Sequence, residues 1–314
     1  MIVLVKAEAY AKSSYKRKAE MEWTTKVTEL LDCRYPILQG AIARLGNWEF
    51  AACVARAGAH GTITASVCGT PQKLQEDIRK CRKAIAGSDG SIGVNLSIGI
   101  TPRIEEMLEV CVEEKVPVET SIYKPDALAS SIKAGGLKWI HKAARVKDAI
   151  HAQELGPDAI ILVGLEGAGI KNPEQLPTMT TIIWGRRKIK ATLIAAGGIG
   201  DAHGFLAALA MGADGIMMGS AFLATRESPI KDSVKERLLH LSPDNPEFRQ
   251  RVMMPAPPKR PPDTSPESDE PDWSRAVSFA VGAIDHIPTV QELIDGIVNG
   301  AEKILDSWKF LQAR

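Results

Sequence analysis

The chain lacks an excess of charge of either sign: 39 Lys and Arg stand against 38 Asp and Glu, for a formal net charge of +1. A partner bound through electrostatic excess, such as nucleic acid or an anionic membrane surface, is therefore not expected. Cysteine is sparse. The five thiols (Cys33, Cys53, Cys68, Cys81 and Cys111) contain no C-x-x-C pair, which points to reduced, mostly buried side chains instead of a disulfide or metal framework. No apolar run reaches the ~18–20 residues of a membrane span, and the Lys-rich first twenty residues lack a signal-peptide core. Nor is there a G-x-G-x-x-G dinucleotide fingerprint. These absences describe a cytoplasmic enzyme acting on a small molecule.

What is present is concentrated in residues 195–220. Ala195-Ala-Gly-Gly-Ile-Gly200 and Gly215-Ile-Met-Met-Gly-Ser220 are separated by a helical run rich in Ala and Leu. Small residues after a short apolar strand let a phosphate approach main-chain N–H groups at a helix N-terminus. Two such sites on successive strands can grip one phosphate, and in a (β/α)8 barrel the loops after strands 7 and 8 are the usual place for it.

Short β-branched segments alternate with charged, helical stretches throughout. Strands are predicted at Pro36–Gln39, Gly61–Thr64, Ile92–Leu96, Val118–Ser121, Trp139–Lys142, Ala159–Val163, Leu193–Ala196 and Gly215–Met218. The eight strands and a length of 314 residues favour a TIM barrel, typically about 250 residues, over an open doubly wound sheet. Helices are expected over Trp48–Ala57, from Pro71 to Ala84, and over Asp148–Leu155. Residues 1–22 read as an N-terminal extension, 23–240 as the barrel core, 241–272 as a Pro-rich loop, and 273–314 as C-terminal helices at Trp273–Val281 and Val290–Leu311.

Several ordered segments resemble the nitronate monooxygenase (2-nitropropane dioxygenase) family, which includes FMN-dependent enoyl-acyl-carrier-protein reductases. They are Tyr35-Pro-Ile-Leu-Gln-Gly-Ala41, Gly93-Val-Asn-Leu96, Ile140-His-Lys142, Ala195-Ala-Gly-Gly-Ile199, Gly212-Ala-Asp-Gly215, Met218-Gly-Ser220, Phe222-Leu-Ala-Thr225 and Ser278-Phe-Ala-Val-Gly282. The resemblance implies non-covalent FMN at the barrel mouth, contacted by Gln39, Gly40, Ala41, Asn95, Lys142, Ala168, Gly197, Gly198, Gly219 and Ser220. Physical chemistry agrees: Asn95 offers a donor and an acceptor to a pyrimidine edge, and Lys142 places a cation where a reduced flavin carries charge.

One segment departs from the family. Where the family has Glu-x-Gly-Gly-His, with the histidine beside the flavin, this chain reads Glu166-Gly-Ala-Gly-Ile170. Isoleucine cannot exchange a proton near neutral pH. Tyr123, after the fourth strand, is a candidate proton donor or a lid aromatic. Glu166 is a candidate acid or an acceptor of backbone hydrogen bonds. Alternation along the fifth strand sends His141 and Lys142 to opposite faces, which leaves His141 to packing. His203 is read as a solvated helix residue, His60 lies at the wrong end of the barrel for chemistry, and Cys68 is read as a small loop residue.

The leading expectation is an FMN-dependent oxidoreductase passing hydride from NAD(P)H to a quinone or enoyl acceptor, since hydride transfer needs positioning more than a fixed base. The neighbouring expectation is oxidation of alkyl nitronates with oxygen. Two others remain: a non-redox phosphate-binding barrel, resembling inosine-monophosphate dehydrogenase-like enzymes but lacking their cysteine loop, and a flavin-binding protein impaired in catalysis. The oligomeric state stays open, a homo-oligomer being one option, and no nucleic acid, membrane or metal is expected.

Overall fold

A computed structural model describes residues 22–42, 45–122, 124–169, 171–254 and 277–308. Eight parallel strands close into a barrel in chain order: β1 (Ile37–Gln39), β2 (His60–Thr64), β3 (Ser91–Ser97), β4 (Val118–Ser121), β5 (Trp139–Ala143), β6 (Ala159–Val163), β7 (Thr192–Ala196) and β8 (Gly215–Met218). Closure is made by β1 on β8, with Leu38 opposite Met217. The architecture is the (β/α)8 TIM barrel expected from the alternation of short apolar runs and helices.

The helices start and stop where local chemistry directs. Asn47 caps Trp48–Arg56 by accepting from the Phe50 N–H at 3.0 Å, and Thr70 caps Pro71–Ala84, with Pro71 in the first turn, where its missing N–H is harmless. Gly156, at φ 94°, ends Val146–Leu155 in the left-handed conformation that glycine adopts without strain. A short helix, Lys26–Leu31, with a Thr25/Thr28 capping box, places Val27 and Leu31 in one apolar cluster with Leu38, Ile140, Ile161, Ile194 and Met217 from the barrel interior.

Two expectations for the C-terminal part are corrected. The region read as a loop from residue 241 contains a helix, Pro246–Met253, before the described chain breaks off at residue 254. Asn245 caps it through the Phe248 N–H, Pro246 opens it, and Phe248 and Val252 bury one face. The proline content further along masked this local signal. The expected helix Trp273–Val281 is, over its described part, a five-residue 3-10 turn at Phe279–Ala283, and the last helix spans Val290–Ser307. Among the described residues, no helix is long and apolar enough to cross a membrane.

Candidate functional site

Strand pairing fixes which side chains face the barrel lumen. Thr64 is level with Asn95, Asn95 with Glu119, Glu119 with Ile140, and Lys142 with Ile161, so these residues share the inner face. His141 points the other way. Its Nδ1 lies 2.9 Å from Thr120 Oγ1, which also accepts a hydrogen bond from Trp139 Nε1, and burial pushes the histidine pKa down to about 4. His60 begins β2 at the opposite end of the barrel from the mouth, beside Ser91 Oγ at 2.9 Å, and burial likewise holds it at about 4. His203 is 80% exposed on the helix Ala202–Ala210.

A polar cluster lines the mouth along β3 to β5. Asn95 Nδ2 donates to Glu119 Oε1 at 3.0 Å and to Ser121 Oγ at 3.1 Å, while Asn95 Oδ1 accepts from Ser97 Oγ at 2.7 Å. Lys142 Nζ stands 3.4 Å from the same Glu119 Oε1. Glu119 was not anticipated from sequence. A signal existed: it is an acidic residue in the middle of a strand whose residues are all buried. Directly after it, Ile122 has φ 84°, a left-handed conformation that is costly for a β-branched residue and marks a tightly determined loop end.

The opposite wall carries the glycine corner. Gly197 and Gly198 have φ 109° and 75°, and the Asp201 carboxylate caps the following helix by accepting from Gly204 N–H at 2.8 Å. A Cβ on Gly219 would meet nothing within 4 Å, so the space before the β8 loop is open. The Ser220 hydroxyl accepts from the Ser278 N–H at 2.7 Å and lies 2.9 Å from Ser278 Oγ, which ties the late 3-10 segment to the corner. A ligand there meets the Ser220 main chain before its hydroxyl.

Glu166 is engaged in structure. Its Oε2 accepts from both the N–H and the hydroxyl of Thr178, each at 2.7 Å, and its carbonyl accepts from Phe279 N–H at 3.0 Å. Lys171 is buried, and its ammonium donates to the carbonyls of Leu165 and Gly167, with burial pushing its pKa down to about 8. The loop bearing Ala168 is thereby fastened from several sides. Tyr123 and Ile170 lie outside the described residues.

Gln39 accepts from Thr62 N–H at 3.1 Å through Oε1, but its fully buried Nε2 has no partner, and neither has the buried Thr64 Oγ1. Orphaned buried donors of this kind call for a bound polar group. With the open glycines at residues 169 and 219, they fit a planar, hydrogen-bonding ring with a phosphate tail. Among the described residues no cluster of His, Cys, Asp and Glu could hold a metal.

Comparison with known proteins gives this site a context. The family model of nitronate monooxygenase matches residues 92–257, more than half of the chain. The chain belongs to the nitronate monooxygenase family. It is a flavin-dependent oxidoreductase by that membership. A probable nitronate monooxygenase of Staphylococcus aureus (strain Newman) is 28% identical, with 68% of this chain and 72% of the relative covered. A protein of Rhodococcus jostii (strain RHA1), named (3aS,4S,5R,7aS)-5-hydroxy-7a-methyl-1-oxo-octahydro-1H-indene-4-carboxyl-CoA dehydrogenase, is 31% identical over 68% of this chain and 59% of its own length. Among solved structures, FabK from Thermotoga maritima superimposes with a TM-score of 0.75 at 28% identity, covering 90% of this chain and 97% of FabK.

Proposed function

We propose that the flavin is FMN and that the protein carries hydride from NAD(P)H to an enoyl-type or quinone acceptor. The observation that carries this reading is the mouth itself, where the Lys142 cation stands with Glu119 and Asn95 on the inner face while His60 and His141 are buried elsewhere. Hydride transfer makes little demand for an imidazole.

In this reading Gly197, Gly198, Gly219 and the Ser220 main chain receive the FMN phosphate, and Gln39 Nε2, Gly40, Ala41, Asn95 and Ala168 border the ring. Bound FMN supplies a reversible two-electron hydride carrier. Lys142 offsets the negative charge that reduction places on the ring. The apolar Val163, Ala196 and Met217 of the inner face exclude water beside it. The Rhodococcus relative, named as a carboxyl-CoA dehydrogenase, favours a CoA thioester as the class of substrate.

The test is the visible spectrum of the FMN-loaded protein during anaerobic addition of NADH and NADPH. Bleaching by either supports the reading. A flavin that neither donor reduces overturns the nicotinamide step, and a chain that cannot be loaded with FMN overturns the cofactor. The names of the Staphylococcus relatives favour a second reading, oxidation of alkyl nitronates, which oxygen uptake with propyl 2-nitronate would support.

A further inference from the structure

The eight strands carry only two formally charged side chains, Glu119 and Lys142, and both face the lumen. Every other inward position on the strands is neutral. Their side chains are 5% and 23% exposed, so both charges are substantially withdrawn from water. A buried ion pair is a weak source of stability, because the desolvation cost roughly offsets the attraction. Stability therefore does not account for this pair.

The geometry is specific. Glu119 Oε1 takes both the Asn95 amide, at 3.0 Å, and the Lys142 ammonium, at 3.4 Å. One carboxylate oxygen thus holds the two side chains that the flavin reading sets against the ring. It also cancels the charge of one of them. Lys142 alone would favour the reduced, more negative flavin, and a carboxylate attached to it opposes that effect in a site of low dielectric.

Resting on the flavin reading above, we propose that Glu119 is a positioning and counter-charge residue that holds the flavin's reduction potential down. A flavin kept from becoming too comfortable in its reduced form is the stronger hydride donor, which suits a weak acceptor such as an enoyl thioester better than a quinone. Glu119 does this through Lys142 and Asn95, without reacting itself.

The experiment compares FMN-loaded, full-length wild type with Glu119→Gln, Glu119→Asp, Lys142→Met and the Glu119→Gln/Lys142→Met double variant. Each is reduced anaerobically in equilibrium with a reference redox dye. Glu119→Gln is expected to shift the equilibrium toward reduced flavin by about tenfold, which is ~30 mV for a two-electron couple. Lys142→Met shifts it the opposite way, Glu119→Asp stays near wild type, and the double variant, again neutral, returns toward wild type. Loss of packing alone would not give opposite signs that cancel.

A Glu119→Gln protein that retains flavin with an unchanged dye equilibrium overturns the proposal, as does a Lys142→Met shift in the same direction as Glu119→Gln. Should Glu119→Gln fail to fold, the double variant is read against Lys142→Met instead: a double variant that stays at the Lys142→Met equilibrium, without returning toward wild type, overturns the proposal. Failure of the wild type to take up FMN overturns the flavin reading instead. Failure of NAD(P)H to bleach a bound flavin overturns only the donor.

Discussion

Glu166 Oε2 accepts two hydrogen bonds from one residue, Thr178, through its backbone N–H and its hydroxyl, both at 2.7 Å. The carboxylate thereby caps the helix Thr178–Arg186, whose preceding residue, Pro177, supplies no side-chain cap. Thr178 Oγ1 also lies 3.0 Å from the Gly197 carbonyl, so the latch joins the β6 loop to the glycine corner. Glu166→Ala and Thr178→Ala should each lower stability by about 1–2 kcal/mol, as lost caps and hydrogen bonds to charged groups do. Their double variant should lose clearly less than the sum, because each single change already breaks the latch. Chemical denaturation of the four proteins measures this, and strict additivity would show that the two residues act separately.

His60 and His141 give the fold an acid limit. Burial pushes both pKa values down to about 4, against about 6.5 in the unfolded chain. Between these values the unfolded state binds protons that the folded state refuses, so stability falls as pH drops from about 6.5 to about 4, and the contribution of the two histidines is constant above that range. Each histidine contributes up to ~1.4 kcal/mol per pH unit within the window. Thermal unfolding from pH 7.5 to pH 4.5 should show a steep loss, and His141→Gln should flatten it relative to its own value at pH 7.5. An unchanged slope in that variant would remove His141 from the explanation.

The barrel was legible because each strand is a short apolar run between helical stretches, and all eight were placed within a residue or two at either end. Alternation on β5 also separated His141 from Lys142 correctly, since period-two geometry depends only on the strand. Glu119 escaped notice because its meaning is not local. In the sequence Val-Pro-Val-Glu-Thr-Ser it is one acid among 38 acidic residues, and only the registers of β3, β4 and β5 bring it against Asn95 and Lys142. The helix Pro246–Met253 was missed for the opposite reason: a clear local cap was outvoted by the prolines that follow it. The capping role of Glu166 required knowing that the β6 loop folds back onto residue 178.

The thiols should be quiet. Burial pushes Cys33, Cys68 and Cys81 up to about 12 and raises Cys111 and Cys53 as well. Asp77 reinforces this at Cys68, whose Sγ lies 3.6 Å from the carboxylate. A thiolate is the reactive form, so a disulfide reagent at pH 7.5 should modify the native protein far more slowly than the denatured chain, by at least tenfold. Rapid modification of Cys68 in the native state, located by peptide mapping, would contradict this placement.

Two glycines of the corner separate backbone need from ligand access. Gly198 sits at φ 75°, and a Cβ there would stand 3.0 Å from Glu166 Cβ, so Gly198→Ala is strained twice and should cost about 1–3 kcal/mol. Gly219 has φ −115°, and a Cβ there meets nothing within 4 Å. Gly219→Ala should therefore fold with stability within about 0.5 kcal/mol of wild type, yet place a methyl group where the phosphate is proposed to approach the main chain. FMN affinity, followed by quenching of flavin fluorescence on titration, should fall by about tenfold or more in the Gly219 variant, a loss of roughly 1.4 kcal/mol. Unimpaired FMN binding by a well-folded Gly219→Ala protein would move the phosphate away from this corner.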